Sequence, residues 1–181
     1  MPEEIEVPTE HLHEQMEEEL KEAKEERGWI SKVAVSSAIL AVAAAITALL
    51  ASHHSDEAIL EQMRATDQWS YYQAKGIKLA ILQGNIEQLQ TDGKPVSPER
   101  QAKVGTYQTE MKAIEEKGHE MEESSEGHMH HHVWFARGVT AFQIAIAMGA
   151  ISVLARRPKL WFVSLALGLT GAAGLAMGVF T

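Results

Sequence analysis

The chain has 181 residues, no cysteine and a formal charge of −9, so disulfides and thiolate metal sites are excluded and a basic nucleic-acid footprint is missing. The acidity belongs to one end: residues 1–27 carry eleven acids against Lys21, Lys24 and Arg27, and the remainder carries fourteen acids against thirteen bases. A mean hydropathy of −0.15 conceals a segregation, because the apolar residues concentrate in three uncharged runs at 33–52, 138–155 and 160–181.

In chain order, residues 1–29 form an acidic tail. Within it, 9–27 reads as a helix: Thr9 is a suitable N-cap, acids fill the first turns, and Glu17 sits four residues before Lys21. Leu12, Met16, Leu20 and Ala23 make a stripe too thin for a core, and Gly28 is expected to hinge the tail before the first apolar run.

The three runs hold 18 to 22 residues each, the length a helix needs to cross about 30 Å of hydrocarbon. A helix satisfies its own backbone hydrogen bonds at that depth. With their flanks, the spans are expected at 30–52, 133–155 and 160–181. The first run follows an acidic segment without a basic leader, which points to a retained span rather than a removable signal. Lys21, Lys24, Arg27 and Lys32 precede the first span, and Arg156, Arg157 and Lys159 lie between the second and third. Lysine and arginine resist translocation, so these seven face the cytoplasm, and the region from 53 to 137, with only Arg64, Lys117 and Arg137 near the membrane, faces outward. The expected location is a bacterial inner membrane.

Residues 53–132 are expected to form an antiparallel coiled-coil hairpin. Nothing at 52–56 obliges the first span to stop, and 53–89 contains no proline. Leu60, Met63, Ile77 and Ile81 recur at three-four spacing, predicting an amphipathic helix of about 50 Å. The chain breaks near 91–98, where Gly93-Lys94-Pro95 precedes Ser97 as N-cap and Pro98 at the first helical position. Val104, Tyr107, Met111, Ile114 and Met121 then follow a seven-residue repeat, with Gly118 at one seam position. Equal rise along both arms returns the second to the membrane near 132–136, giving two helices of roughly 55 to 60 residues. A seam of Ala, Gly and aromatics predicts irregular packing or a need for partners.

Three stretches carry a family likeness: EEIEVPTEHLHE at 3–14, SDEAILEQMRATDQWSYYQAKGIK at 55–78 and VTAFQIAIAMGAISVLARR at 139–157. The most specific piece is Asp67-Gln68-Trp69-Ser70-Tyr71-Tyr72-Gln73-Ala74-Lys75. In these the chain resembles the small bacterial membrane proteins catalogued as domain of unknown function 4337. The resemblance implies three spans with a helical insert and supplies no chemistry.

Histidine is the one unusual ligand type. His53 and His54 leave the first span, while His128, His130, His131 and His132 lead into the second, and the hairpin brings both groups to one level. Neutral imidazole binds zinc or another divalent transition metal, with Asp56, Glu122, Glu123 or Glu126 as further oxygen donors. Equally, the rings can mark the interface beside Trp134 and Phe135 with no ligand, or form a pH-responsive charge cluster. The metal ligands would be His53, His54, His128, His130, His131 and His132; otherwise no cofactor is implied.

The second candidate is the patch Asp67, Gln68, Trp69, Tyr71, Tyr72, Gln73 and Lys75, whose aromatics exceed what a two-helix seam is expected to hide. Trp69, Tyr71, Tyr72, Gln73 and Lys75 are the expected interaction residues, toward a second subunit, another protein or, least of all, a small molecule. Small residues recur every four positions in the spans, at Ser37/Ala41/Ala45, Ala141/Ala145/Gly149 and Ser164/Gly168/Ala172, and Gly174 and Gly178 form a GxxxG. Gly168, Gly171, Gly174 and Gly178 are the expected packing positions, within one subunit or between subunits.

Gln143 is the only strongly polar side chain at depth, which argues against ion-coupled transport, although a pore lined by small residues stays open. No nucleophile with a partner, phosphate loop, zinc helix or dinucleotide fingerprint occurs, so no enzyme is expected. The expectation is an all-α membrane protein that binds the lipid bilayer, self-associates as a homo-oligomer and acts as a structural or protein-interaction module. The alternative is an oligomeric channel, or a metal- or pH-responsive protein, with the histidines at its outer mouth.

Overall fold

The computed structural model describes residues 9–180, and residues 9–13, 22, 23 and 26 by backbone alone. The capping expected of the Thr9 side chain and the stripe side chains of Leu12 and Ala23 lie outside the described side chains. The described chain is α1 (Thr9–Thr91), α2 (Pro98–Leu154) and α3 (Pro158–Phe180), with no strand among the described residues. Each helix is long and apolar enough to cross a membrane.

The tail, first apolar run and first arm are one helix of 83 residues. The hinge expected at Gly28 does not form. A lone glycine inside a helix costs only about 0.5–1 kcal/mol relative to alanine, and no proline adjoins it to remove a backbone donor. The helix stops where the chemistry changes: Gly93 adopts φ +70°, its N–H donates to the Gln90 carbonyl at 3.1 Å, and Lys94 N–H donates to Leu89 at 2.9 Å. This bond pair closes a helix through a left-handed residue. α2 begins at Pro98, as expected, with the Ser97 carbonyl accepting from the Arg100 and Gln101 N–H groups at 3.0 and 3.4 Å.

α2 ends by the same device built on a different residue. Arg156 has φ +49°, its N–H donates to Val153 at 3.1 Å, and Arg157 N–H donates to Ser152 at 3.0 Å. A side chain in the left-handed region costs about 1 kcal/mol that glycine avoids. Arginine there places three cations, Arg156, Arg157 and Lys159, within four residues across the turn and the start of α3.

The chain forms two compact units. One takes in the chain up to Ala48 and Phe135–Met177; the other takes in Leu49–Trp134 and the chain from Gly178. In the first, glycines let the three helices approach. A Cβ on Gly168 would lie 2.7 Å from Leu40 Cδ2, one on Gly171 2.7 Å from Phe142 Cδ1, and one on Gly138 3.1 Å from the Gly171 carbonyl. Ser164 Oγ donates to the Ala145 carbonyl at 2.6 Å and Trp161 Nε1 to Ser36 Oγ at 3.1 Å. Gly168, Gly171, Gly174 and Gly178 are all buried inside the chain. Apolar side chains point the other way, Val35, Ile39, Val42 and Ile46 being more than half exposed.

In the second unit α1 and α2 run antiparallel as a hairpin. The covered positions of α1 step by three and four: Ala51, His54, Ala58, Glu61, Ala65 and Gln68, then Tyr72, Lys75, Leu79, Leu82, Ile86 and Leu89. Those of α2 do the same through Val104, Tyr107, Met111, Ile114, Gly118, Met121, Ser125, His128 and His132. The expected α2 seam is therefore the observed one. The seam has the expected Ala, Gly and aromatic character, and the apolar spacing read on α1 lies away from it: Leu60, Met63, Ile77 and Ile81 are 45–62% exposed. α2 packs instead on the opposite face, where alanines let it come close.

Candidate functional site

The close approach has a specific chemistry. Ala51, Ala58 and Ala65 are spaced by seven and at most 7% exposed, and a methyl group leaves the backbone carbonyl beside it open to a donor from the facing helix. Ser125 Oγ donates to the Ala58 carbonyl at 2.8 Å. One heptad further on, His132 Nδ1–H donates to the Ala51 carbonyl at 2.8 Å. One heptad back, Gly118 has no side chain, and its space receives Trp69: a Cβ there would stand 3.2 Å from the indole Cε2.

The histidines form a junction at this end of the hairpin. His54 Nδ1 and His128 Nδ1 lie 3.1 Å apart, so one must carry the proton and the other accept it. His131 stacks on His54 with centroids 4.9 Å apart and planes at 25°. Its Nδ1–H donates to the Gly178 carbonyl at 2.9 Å, which brings the end of α3 into the cluster. His131 and His132 are thereby fixed as Nδ1–H tautomers. His53 packs edge-on to His54 at 5.5 Å, and His130 lies 6.4 Å from Trp134; both are exposed.

Burial, followed by the neighbouring His131, His128 and His53, holds the His54 pKa below its ordinary 6.5, with Glu57 pulling the other way. The junction thus favours the neutral form of the His54 ring. Among the described residues no three His, Asp or Glu side chains are grouped to hold a metal ion. His131 and His132 direct Nδ1 at carbonyls, and Glu122, one expected oxygen donor, serves Trp69 and His119.

The aromatic patch divides between two faces. Trp69 Nε1 donates to Glu122 Oε1 at 2.8 Å, and the indole meets His119 and Tyr72 edge-on at 5.0 and 5.8 Å. Lys75 is 12% exposed, donates to Glu110, and lies over the Tyr107 and Tyr71 rings at 4.9 and 5.7 Å. The Glu110 hydrogen bond holds the Lys75 pKa above its ordinary value. Trp69, Tyr72 and Lys75 therefore belong to the hairpin itself, because Gly118 makes room for an indole that a larger residue would exclude. Tyr71 and Gln73 face outward with Asp67. The expected irregularity of the seam is visible as open hollows, one of about 600 Å³ beside Tyr72, Leu79, Gly105 and Met111.

Opposite the seam, α1 carries a second repeat two residues out of phase, roughly 200° around the helix. Leu60, Met63, Ile77 and Ile81, with Ile59 and Tyr71 beside them, lie 45–62% exposed. On α2 no large apolar residue from Pro98 to His128 is exposed to that degree. Ala51, Ala58, Ser125 and the carbonyls they involve were missed as site residues, and the signal for them is the seven-residue spacing of alanines at 44, 51, 58 and 65.

An all-α chain with three helices of membrane-spanning length and a histidine-closed hairpin between the first two defines the class. The chain belongs to the family described as Domain of unknown function (DUF4337), which matches residues 29–181. No curated protein and no solved structure matches it.

Proposed function

We propose that the protein is an integral protein of a bacterial inner membrane whose helical hairpin is a self-association module, with no enzymatic role. The observation that carries this reading is the apolar outer face of the α1 arm, since Leu60, Met63, Ile77 and Ile81 are 45–62% exposed yet keep a three-four spacing. A hydrophobic stripe of that period on a helix fits another helix. The small residues of the apolar helices already pack within the chain, so association is assigned to the hairpin rather than to them. Light scattering on detergent-purified protein is expected to give more than one copy per particle; strictly monomeric protein in detergent and in nanodiscs would sink the reading. The tail and the Arg156–Lys159 turn are assigned to the cytoplasm. A cysteine at Glu17 is then protected, and one at Thr106 labelled, when intact cells meet an impermeant thiol reagent; the reverse pattern inverts the topology.

A second reading, an oligomeric channel controlled at its outer mouth by protons or a transition metal, draws support from the single proton shared by His54 and His128 across 3.1 Å. Conductance in planar bilayers that responds to pH or zinc supports it, and silent bilayers remove it.

A further inference from the structure

We infer that the outer face of the α1 arm pairs with the same face of a second copy of this chain, parallel and in register, an inference that rests on the self-association reading above. The stripe occupies positions 60, 63, 67, 70, 74, 77 and 81, all exposed. The spacing alternates three and four over three heptads, with Leu60, Met63, Ala74, Ile77 and Ile81 apolar and Asp67 and Ser70 polar between them; apolar residues at that spacing seat one helix against another. The facing helix must supply the same period. Within the chain that period is already used on α2 by its contact with α1, and α2 exposes no comparable apolar face over its own arm. The one surface on the arms that offers an unoccupied apolar heptad is the stripe itself, so self-complementarity is the simplest match.

Continuity of the helix selects the orientation. α1 runs without a break from the apolar run at 33–52 into the arm. Copies anchored by that run in one bilayer present their stripes pointing the same way and starting from the same residue. Anchoring also confines the copies to a plane, which raises the effective concentration of one stripe near another.

Charge fits this partner. In a chain of net charge −9, the positions flanking the stripe are Ile59, Thr66, Gln73 and Ala80 on one side and Arg64, Tyr71, Lys78 and Asn85 on the other. Parallel pairing sets the first row against the second, neutral against basic or neutral, with no acid in either row. Asp67 is the single charge inside the stripe and meets its own copy there, which weakens the pair and fixes its register, as buried polar groups do in coiled coils.

The absence of native cysteine allows a direct test. Single cysteines at Ala74, Ile77 and Ile81 on the stripe, and at Lys112 and Glu116 on the exposed face of α2, are oxidised in native membranes with a copper–phenanthroline catalyst. The expected result is a disulfide-linked dimer several-fold more abundant for each stripe position than for either α2 position, increased further when Asp67→Leu is added. Equal yields at all positions, or a maximum on α2, would overturn the assignment of the surface while leaving self-association standing. A single copy per particle by light scattering would remove both.

Discussion

Ala58 offers α2 a methyl group and a carbonyl, and that is why it lies in the seam. A bulkier residue would hold Ser125 beyond reach of the 2.8 Å bond it makes to that carbonyl. The same economy of volume governs Gly171, where a Cβ would stand 2.7 Å from Phe142, a ring only 2% exposed and without room to turn. Gly171→Ala is expected to lower stability by roughly 1–3 kcal/mol, the usual cost of overpacking. Gly28→Ala, at a position with nothing within 4 Å, is expected to raise it by about 0.5–1 kcal/mol through helix propensity. Thermal unfolding in detergent reads both, and equal shifts would contradict the packing. His54 gives a pH signature. Its folded pKa lies below 6.5, so between that value and 6.5 the unfolded chain binds more protons and stability rises with pH. The stabilisation is complete above 6.5 and is lost as pH falls toward the folded value. The melting temperature of the native chain should therefore drop on acidification below about pH 6.5, and that of His54→Gln should drop less. Identical slopes would show that the junction does not depend on neutral imidazole at this position.

At the scale of elements, α1 is read differently on its two sides. Its seam is built from small residues at heptad spacing, and its large apolar residues sit on the other face. The bulky periodicity of the sequence therefore marks the arm and its period, and the residues that carry it, Leu60, Met63, Ile77 and Ile81, lie on the face away from the seam. Burial in a close-packed antiparallel pair is decided by how near the backbones come, which favours Ala51, Ala58 and Ala65 over Leu60 and Ile77. On α2 the larger residues Met111 and Ile114 do lie in the seam, and there the sequence pattern and the structure agree. The turn was legible to the residue because Gly93 and Pro98 each supply a conformation few others tolerate. Gly93→Ala, at φ +70°, is expected to cost about 1 kcal/mol, whereas Gly84→Ala, in ordinary helix with nothing within 4 Å, should gain up to about 1 kcal/mol. Opposite signs in chemical or thermal unfolding check the pair. The hinge expected at Gly28 failed for the converse reason: glycine permits a break, and nothing in the neighbouring residues requires one.

For the whole molecule, the three apolar helices were legible from length and composition alone, because a run of about 20 uncharged apolar residues has few other uses. The level at which the histidines meet was legible from the turn, since equal rise from a fixed break places residues 53–54 opposite 128–132. The bonds they form were not, because the choice between a metal, a proton and a backbone carbonyl depends on ring orientation. His132 reaching the Ala51 carbonyl and His131 the Gly178 carbonyl have no signature in spacing. The hairpin is thus proposed to have two working faces, one closing it through small residues and one pairing it with another copy. Particle mass in lipid nanodiscs tests this most directly, with the native chain beside Ile77→Glu/Ile81→Glu. At least two copies are expected for the native chain and one for the variant, with unchanged helix content. A native chain that is monomeric, or a variant that keeps the native mass, would contradict it.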